Sequence, residues 1–305
     1  MKIYLAAAYV SYGKDQPPKL RNYPDILESF HYLRTGKTMV ESIHRDHREK
    51  PRRIFLDSGA YSAFTKGVTI TVEEYSSFIH KNREIIDFAA NLDDLSSKDK
   101  NVAAEATWRN QRLLEKAVPK GMYVLPVYHV REDVKHLKRL LDNYEFIAIG
   151  GMVPESIPDL KQILDELWGR YLTDAKGRAR IRVHGFGLTT ISLLRRYPWY
   201  SVDSTSWSAY SRMGYVNVVL PTGNTFQLTI SEKRSARHDL DRHFDSMAPL
   251  LQAEITRLVE ARGFNIEELR TKSLRRAELM VDFYEQLRHM GTDTFKRDLG
   301  DLFHA

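Results

Sequence analysis

Two short stretches of this chain share an order of residues that suits chemistry: an apolar run, one aspartate, then a serine-led turn. In "IFLDSGAYSAF" (54 to 64), Ile54, Phe55 and Leu56 deliver Asp57 into Ser58, Gly59 and Ala60, with Tyr61 just behind. In "SVDSTSW" (201 to 207), Val202 delivers Asp203 into Ser204. A carboxylate at the end of a buried strand is costly unless it is paired or opens into a cleft. An aspartate that caps the next helix is the competing account of a single copy, and a second copy weakens it. Other runs end in groups of the same kind: Asp93 and Asp94 in "NLDD", His129 in "YVLPVYH", and His184 in "RIRVHGFG". Four carboxylates in one cleft repel one another, which raises some pKa values and leaves other groups ionised. That divergence lets a nucleophile and a proton-transfer group coexist. The glycines of "IGGM" (Gly150 and Gly151, before Met152) and "HGFG" (Gly185 and Gly187) let backbone amides approach a flat ligand, or simply make tight turns. A flat heterocycle held against Tyr61, its edge read by a carboxylate and backbone, describes a purine pocket.

These residues can meet only if the strands that carry them converge. Eight apolar stretches recur, at 2–8, 53–59, 85–94, 123–129, 146–152, 180–187, 199–206 and 216–223. Between several of them lie amphipathic segments with helical spacing, such as "VEEYSSFIHKNREI", "AAEATWRNQRLLEKAV" and "REDVKHLKRLLDNY". Continuous apolar strands alternating with amphipathic helices indicate a covered parallel sheet, and eight units match an α/β (β/α)8 TIM barrel. An open doubly wound sheet is the competing fold, because periodicity does not report closure. The expected division is a catalytic barrel over 1–230 and a helical C-terminal extension over 231–305 packed on it. In that extension, "MAPLLQAEITRLVEARG" and "SLRRAELMVDFYEQLRHMG" suggest helices capped by Gly263 and Gly291.

At 305 residues and 42% hydrophobic content the chain can bury a large core. Its net charge of +6 suits an anionic partner such as nucleic acid, and the basic surplus belongs to the first 230 residues. The most basic stretch, "RTGKTMVESIHRDHREKPRR" (34 to 53), reads equally as a solvated helix face or a phosphate contact. There is no cysteine, which excludes disulfides, thiolate nucleophiles and Cys-ligated zinc. No run approaches the roughly 18 apolar residues of a membrane span. The N-terminal stretch makes no convincing signal peptide, so a cytoplasmic location is expected.

Taken together, "LDSGAYSAF", "NLDD", "IAIGGM", "HGFG" and "SVDSTSW" resemble, in order and spacing over about residues 50 to 225, the tRNA-guanine transglycosylases. The length and the absence of cysteine make the chain most similar to the phage and bacterial DNA 7-deazaguanine transglycosylases. The resemblance implies exchange of guanine in DNA for a free 7-deazaguanine base such as preQ0. Asp203 would be the nucleophile on C1′, and Asp57 the general acid/base for the departing and incoming bases. Asp93 would accept from guanine N1 and N2, Ser58 and the backbone at Gly150 and Gly151 would hold other polar edges, and Gly185 would lie at the pocket wall. Met152 would lie near the 7-substituent together with Val153 and Pro154, and Tyr61 would stack on the ring. Neither a cofactor nor a metal is implied. The chain also departs from that pattern. His129 stands near a position where the tRNA enzymes carry glutamine, so a contact to O6 is an expectation only. His184 replaces a sulfur-bearing residue, as a stacking group or as barrel filling. The zinc module of the tRNA enzymes is absent, which puts tRNA docking and their dimer in doubt and leaves the oligomeric state open.

Three other readings compete with DNA base exchange. One is exchange in tRNA. Another is a metal-dependent barrel hydrolase using His129, His184 and the aspartates, which "KIYLAAAY" disfavours by lacking paired histidines. The last is a non-catalytic nucleic-acid-binding protein that retains the fold.

Overall fold

A computed structural model describes residues 1–153, 155–188, 190–234 and 242–296. Nine parallel strand segments follow in chain order: β1 Lys2–Ala6, β2 Ile26–Ser29, β3 Ile54–Asp57, β4 Ile86–Ala90, β5 Val124–Leu125, β6 Val127–His129, β7 Phe146–Gly150, β8 Arg182–Gly185 and β9 Ser201–Ser204. Their order across the sheet is β5-β4-β3-β2-β1-β9-β8-β7-β6. The two ends of that order, β5 and β6, are halves of one run parted only by Pro126. Proline has no amide hydrogen to give a ladder, so it interrupts the strand. Its carbonyl nevertheless accepts the Ala148 N–H at 2.8 Å. With β5 and β6 taken as one broken strand, the sheet returns on itself as a ring of eight, a (β/α)8 barrel.

The ring has the expected number of strands with one exchange of membership. Residues 216–223, expected as the eighth barrel strand, instead contribute to β10 Tyr215–Val219, which pairs antiparallel with β11 Thr225–Thr229 as a separate hairpin. The missing member is β2, "ILES", which joins β1 to β3. Its Glu28 is fully buried, and the carboxyl accepts the Tyr9 amide at 2.6 Å. That partner makes a charge-bearing residue tolerable in a four-residue strand.

Register sets the chemistry above an apolar plug. Tyr4, Leu27, Phe55, Phe88, Leu125 and Phe146 are buried in one cluster, with Phe55 stacked on Phe88 at a 4.2 Å centroid distance. Successive strand residues point to opposite faces. Two residues on from Phe55, Leu27 and Val127, the same inward face therefore presents Asp57, Ser29 and His129. Ser29 lies level with Asp57, His129 with Gly150, Ala148 with His184, and Tyr4 with Asp203.

Three of the outer helices start on side-chain caps. Val72–Lys81 opens with a Thr71–Glu74 capping box, Lys100–Ala117 with Asp99, and Val134–Asn143 with Asp133. Most of the basic stretch forms the helix Lys37–Glu49, in which Arg45 meets Asp46 and His44 meets Glu84 and Asn82.

The chain divides into two compact units, Met1–Lys14 with Asp25–Ser204 and Met290–Ala305, and Asp15–Pro24 with Thr205–His289. The expected boundary at residue 230 therefore moves to the end of β9, and a short early segment joins the second unit. All of the barrel strands belong to the first unit. The second holds the β10–β11 hairpin and the helices Ser206–Met213, Pro249–Glu260, Ile266–Thr271 and Ser273–Arg288. Its long last helix is anchored by buried Arg276, which donates to the carbonyls of Ser211 and Leu269. Gly263 has the left-handed φ of 79° expected of a stop after Pro249–Glu260. Gly291 does not cap the last helix, which ends on His289 in right-handed geometry. No helix among the described residues is long and apolar enough to cross a membrane.

Candidate active site

Asp57 ends β3, where the chain must turn sharply into the helix Ala60–Thr65. Gly59 makes that turn at φ 73° and donates its amide to Asp57 Oδ2 at 2.9 Å. A β-carbon on Gly59 would lie 2.3 Å from Ser29 Oγ and 2.5 Å from His31 Cβ, so both the conformation and the space require glycine. Burial, then the neighbouring charges of Asp203 and Asp93, push the Asp57 carboxyl up to about 7, against hydrogen bonds from the Gly59 and Ser58 amides. Asp57 is thus a proton-bearing group near neutrality, and the same interactions bring all three carboxylates to one mouth.

Asp203, on β9, is buried, and its Oδ1 accepts the Gly187 amide at 2.8 Å. Gly187 reaches it from the turn after β8 at φ 62°. Asp203 is therefore held in place by a backbone donor, while Asp57 has the surroundings of a proton carrier.

His184 does not present a face to a ligand. Its side chain has no solvent exposure and packs edge-on against Tyr4, Phe55 and Phe186. Its Nδ1 lies 2.9 Å from Ser201 Oγ, while Nε2 approaches Asp203 Oδ1 to 3.3 Å without the alignment of a hydrogen bond. Of the two roles left open for it, stacking or barrel filling, the burial fits barrel filling beside Asp203, because the ring lies inside the plug rather than above it.

Asp93 and His129 form a pair that the linear sequence does not display. His129 Nε2 lies 3.1 Å from Asp93 Oδ2, and Nδ1 lies 2.9 Å from Oε1 of buried Glu132. Burial alone would lower the imidazole pKa; the two carboxylates overcome it and push the ring up to about 10. With both N–H groups committed, His129 has no donor left for the O6 contact expected of it. Asp93 Oδ1, by contrast, is buried with no hydrogen-bond partner among the described residues. It is a buried acceptor that the described residues leave without a donor.

The remaining expected residues divide between wall and rim. Ser58, Gly150, Gly185 and Met152 are buried, whereas Gly151 is exposed with φ 70°. A β-carbon at Gly150 would press on the His129 ring at 3.2 Å, and one at Gly185 on Trp199 at 3.1 Å, so both serve close packing. Tyr61 is 65% exposed, as are Phe64 at 57% and Val153 at 67%, so Tyr61 is open to stacking rather than already packed. Pro154 lies outside the described residues. Asp94 turns away, with its Oδ1 accepting from the Ser96 amide and hydroxyl. Sequence reasoning missed Ser29, whose buried Oγ has no hydrogen-bond partner among the described residues, and Glu132, and it assigned the Gly187 amide to a ligand rather than to Asp203. Only Glu132 left a signal, three residues after a strand-end histidine. Among the described residues no group of three or more His, Asp or Glu side chains is arranged to hold a metal ion.

No family model and no curated protein matches the chain. Among solved structures it is similar to a mutant tryptophan synthase alpha-subunit from Pyrococcus furiosus, at 13% identity and TM-score 0.43 over 70% of this chain and 89% of that one. It is also similar to a family 2 AP endonuclease from Brucella melitensis, at 12% identity and TM-score 0.40 over 67% and 92%. At these scores the likeness carries no inference about activity.

Proposed function

We propose that the protein is an enzyme, a transglycosylase that exchanges guanine in DNA for a 7-deazaguanine base through a covalent Asp203-glycosyl intermediate. The observation that carries this reading is the division of labour between two aspartates at one barrel mouth. Asp57 is held near a pKa of about 7 by burial and by the charges of Asp203 and Asp93, and Asp203 is fixed in place by a hydrogen bond from the Gly187 amide.

In the first half-reaction the Asp203 carboxylate attacks C1′ and the C1′–N9 bond breaks, with its electron pair leaving on guanine. Asp57 supplies the proton that neutralises the departing base. In the second, Asp57 takes the N9 proton of the incoming base, N9 attacks C1′, and the Asp203–C1′ bond breaks. Two inversions retain the β configuration. Asp93 Oδ1 would accept from the N1 and N2 hydrogens of the base, and Tyr61 would stack on its face. The target nucleotide must leave the helix stack to reach such a mouth, and the basic surplus of the chain suits its backbone.

Incubation with radiolabelled guanine and either duplex DNA or tRNA tests the reading. Label in DNA, lost on Asp203→Asn, is the expected result. Label in tRNA alone would move the substrate to tRNA, and loss of activity on strong chelation would favour the metal-dependent hydrolase instead.

A further inference from the structure

Glu132 lies behind the presumed base pocket, and nothing in the exchange mechanism requires it. It is nevertheless held with unusual care. Its amide donates to the His129 carbonyl at 3.2 Å, its carbonyl accepts the Tyr128 hydroxyl at 2.8 Å, and Val130 N–H donates to the Gly150 carbonyl at 3.1 Å. Arg131, between them, sits at φ 71°, a conformation that a non-glycine residue adopts only under constraint, and is tied to Glu155 by two hydrogen bonds of 2.7 Å. The result is one buried carboxylate, Glu132 Oε1, placed 2.9 Å from Nδ1 of His129 while Nε2 of the same ring meets Asp93.

We propose that Glu132 is a positioning residue acting through His129. It holds the imidazolium so that the ring clamps one oxygen of Asp93 and leaves the other, Oδ1, as a fixed acceptor selecting a ligand edge with adjacent N–H donors. The charges around the ring make a consistent set. Asp93 and Glu132 face it directly, the Lys100 ammonium rests on the neighbouring Val130 carbonyl at 3.1 Å, and Asp57 lies beyond Asp93. Held on both sides, the His129 ring fixes the Asp93 oxygen that it meets. The ligand's identity as a guanine-like base rests on the base-exchange reading; the state of the ring does not.

The test combines NMR of the His129 ring nitrogens with binding of guanine and of hypoxanthine, which lacks the 2-amino group. In the unaltered protein both ring nitrogens should keep their protons through pH 8, and guanine should bind more tightly than hypoxanthine. Glu132→Gln should move the ring's midpoint down by at least one pH unit and weaken guanine binding roughly tenfold, as loss of a hydrogen bond to a charged group implies, with little effect on hypoxanthine. Glu132→Asp should recover part of both. An unchanged ring titration and an unchanged guanine preference in Glu132→Gln would overturn the proposal. If that variant does not fold, the unaltered protein decides, and loss of the Nδ1 proton below pH 8 overturns it. If the unaltered protein binds no guanine, the base-exchange reading falls, while the ring titration still decides the role of Glu132.

Discussion

The Gly187 amide and the Asp203 carboxylate face each other at 2.8 Å, joining the turn after β8 to the end of β9. A β-carbon at Gly187 meets nothing within 4 Å, so Gly187→Ala perturbs φ rather than packing. The substitution should cost about 1–2 kcal/mol of stability for the left-handed backbone. Through a displaced amide it should also lower kcat/KM by about tenfold or more, the worth of a hydrogen bond to a charged group. Urea unfolding and steady-state exchange kinetics separate the two effects.

Asp57 gives the pH dependence its sign. Its folded pKa, about 7, lies above the ordinary 3.8. Its contribution to stability is therefore complete below pH 3.8 and is lost as pH rises towards 7. At about 1.4 kcal/mol per tenfold in proton affinity the whole effect is on the order of 4 kcal/mol, an upper bound because water reaches the mouth. Asp57→Asn removes that dependence and should unfold at higher temperature than the unaltered protein at pH 8, with little difference at pH 4. Exchange should fall at least a hundredfold in the same variant. In the unaltered protein kcat/KM should decline above pH 7, as the proton for the departing base is lost. Melting curves at the two pH values and a pH–rate profile check both expectations.

Seven of the eight barrel strands are readable from apolar runs that end in functional residues, because inward and outward faces are both buried and the runs are continuous. β2 is not. "ILES" is short and carries Glu28, and what makes it a strand is an amide from Tyr9, 19 residues earlier in the chain. Residues 216–223 fail in the opposite direction, since an apolar run does not say whether its partner is parallel or antiparallel. In the site, Asp57, Asp93, His129 and Asp203 are legible because strand ends converge in a barrel. The Gly187 amide and Glu132 are not, because their roles arise from the direction of a backbone N–H and from a turn that folds back on His129. For His184 spacing fixed the strand and left stacking and barrel filling both open, and only depth shows that its ring lies within the plug.

Glu28 offers a test of the barrel wall that does not involve activity. Burial pushes its carboxyl up to about 8 from 4.5, against hydrogen bonds from the Tyr9, Val10 and Ala8 amides and the charge of Arg52. Its stabilising contribution is complete below pH 4.5 and disappears as pH rises through 8. Glu28→Gln keeps an acceptor for those amides and should change stability by no more than about 1 kcal/mol at pH 6, while being the more stable form at pH 9. Glu28→Ala leaves the amides unpaired in the core and should cost roughly 2–4 kcal/mol at pH 6 and less at pH 9, where the unaltered carboxyl has lost its own contribution. Urea midpoints for the three proteins at pH 6 and pH 9 give the comparison.

Gly59 tests whether the turn itself sets the state of Asp57. Alanine there would meet Ser29 Oγ at 2.3 Å and His31 Cβ at 2.5 Å, with φ held at 73°. Overpacking and left-handed strain together should cost about 3 kcal/mol. The backbone can relieve the clash only by moving the amide that donates to Asp57 Oδ2. Because that hydrogen bond opposes the upward push of burial, losing it should raise the Asp57 pKa further and shift the falling limb of the pH–rate profile to higher pH. Gly59→Ala is thus expected to lower the melting temperature and move the profile together. A variant that loses stability while its profile stays at pH 7 would show that the amide does not govern the acid.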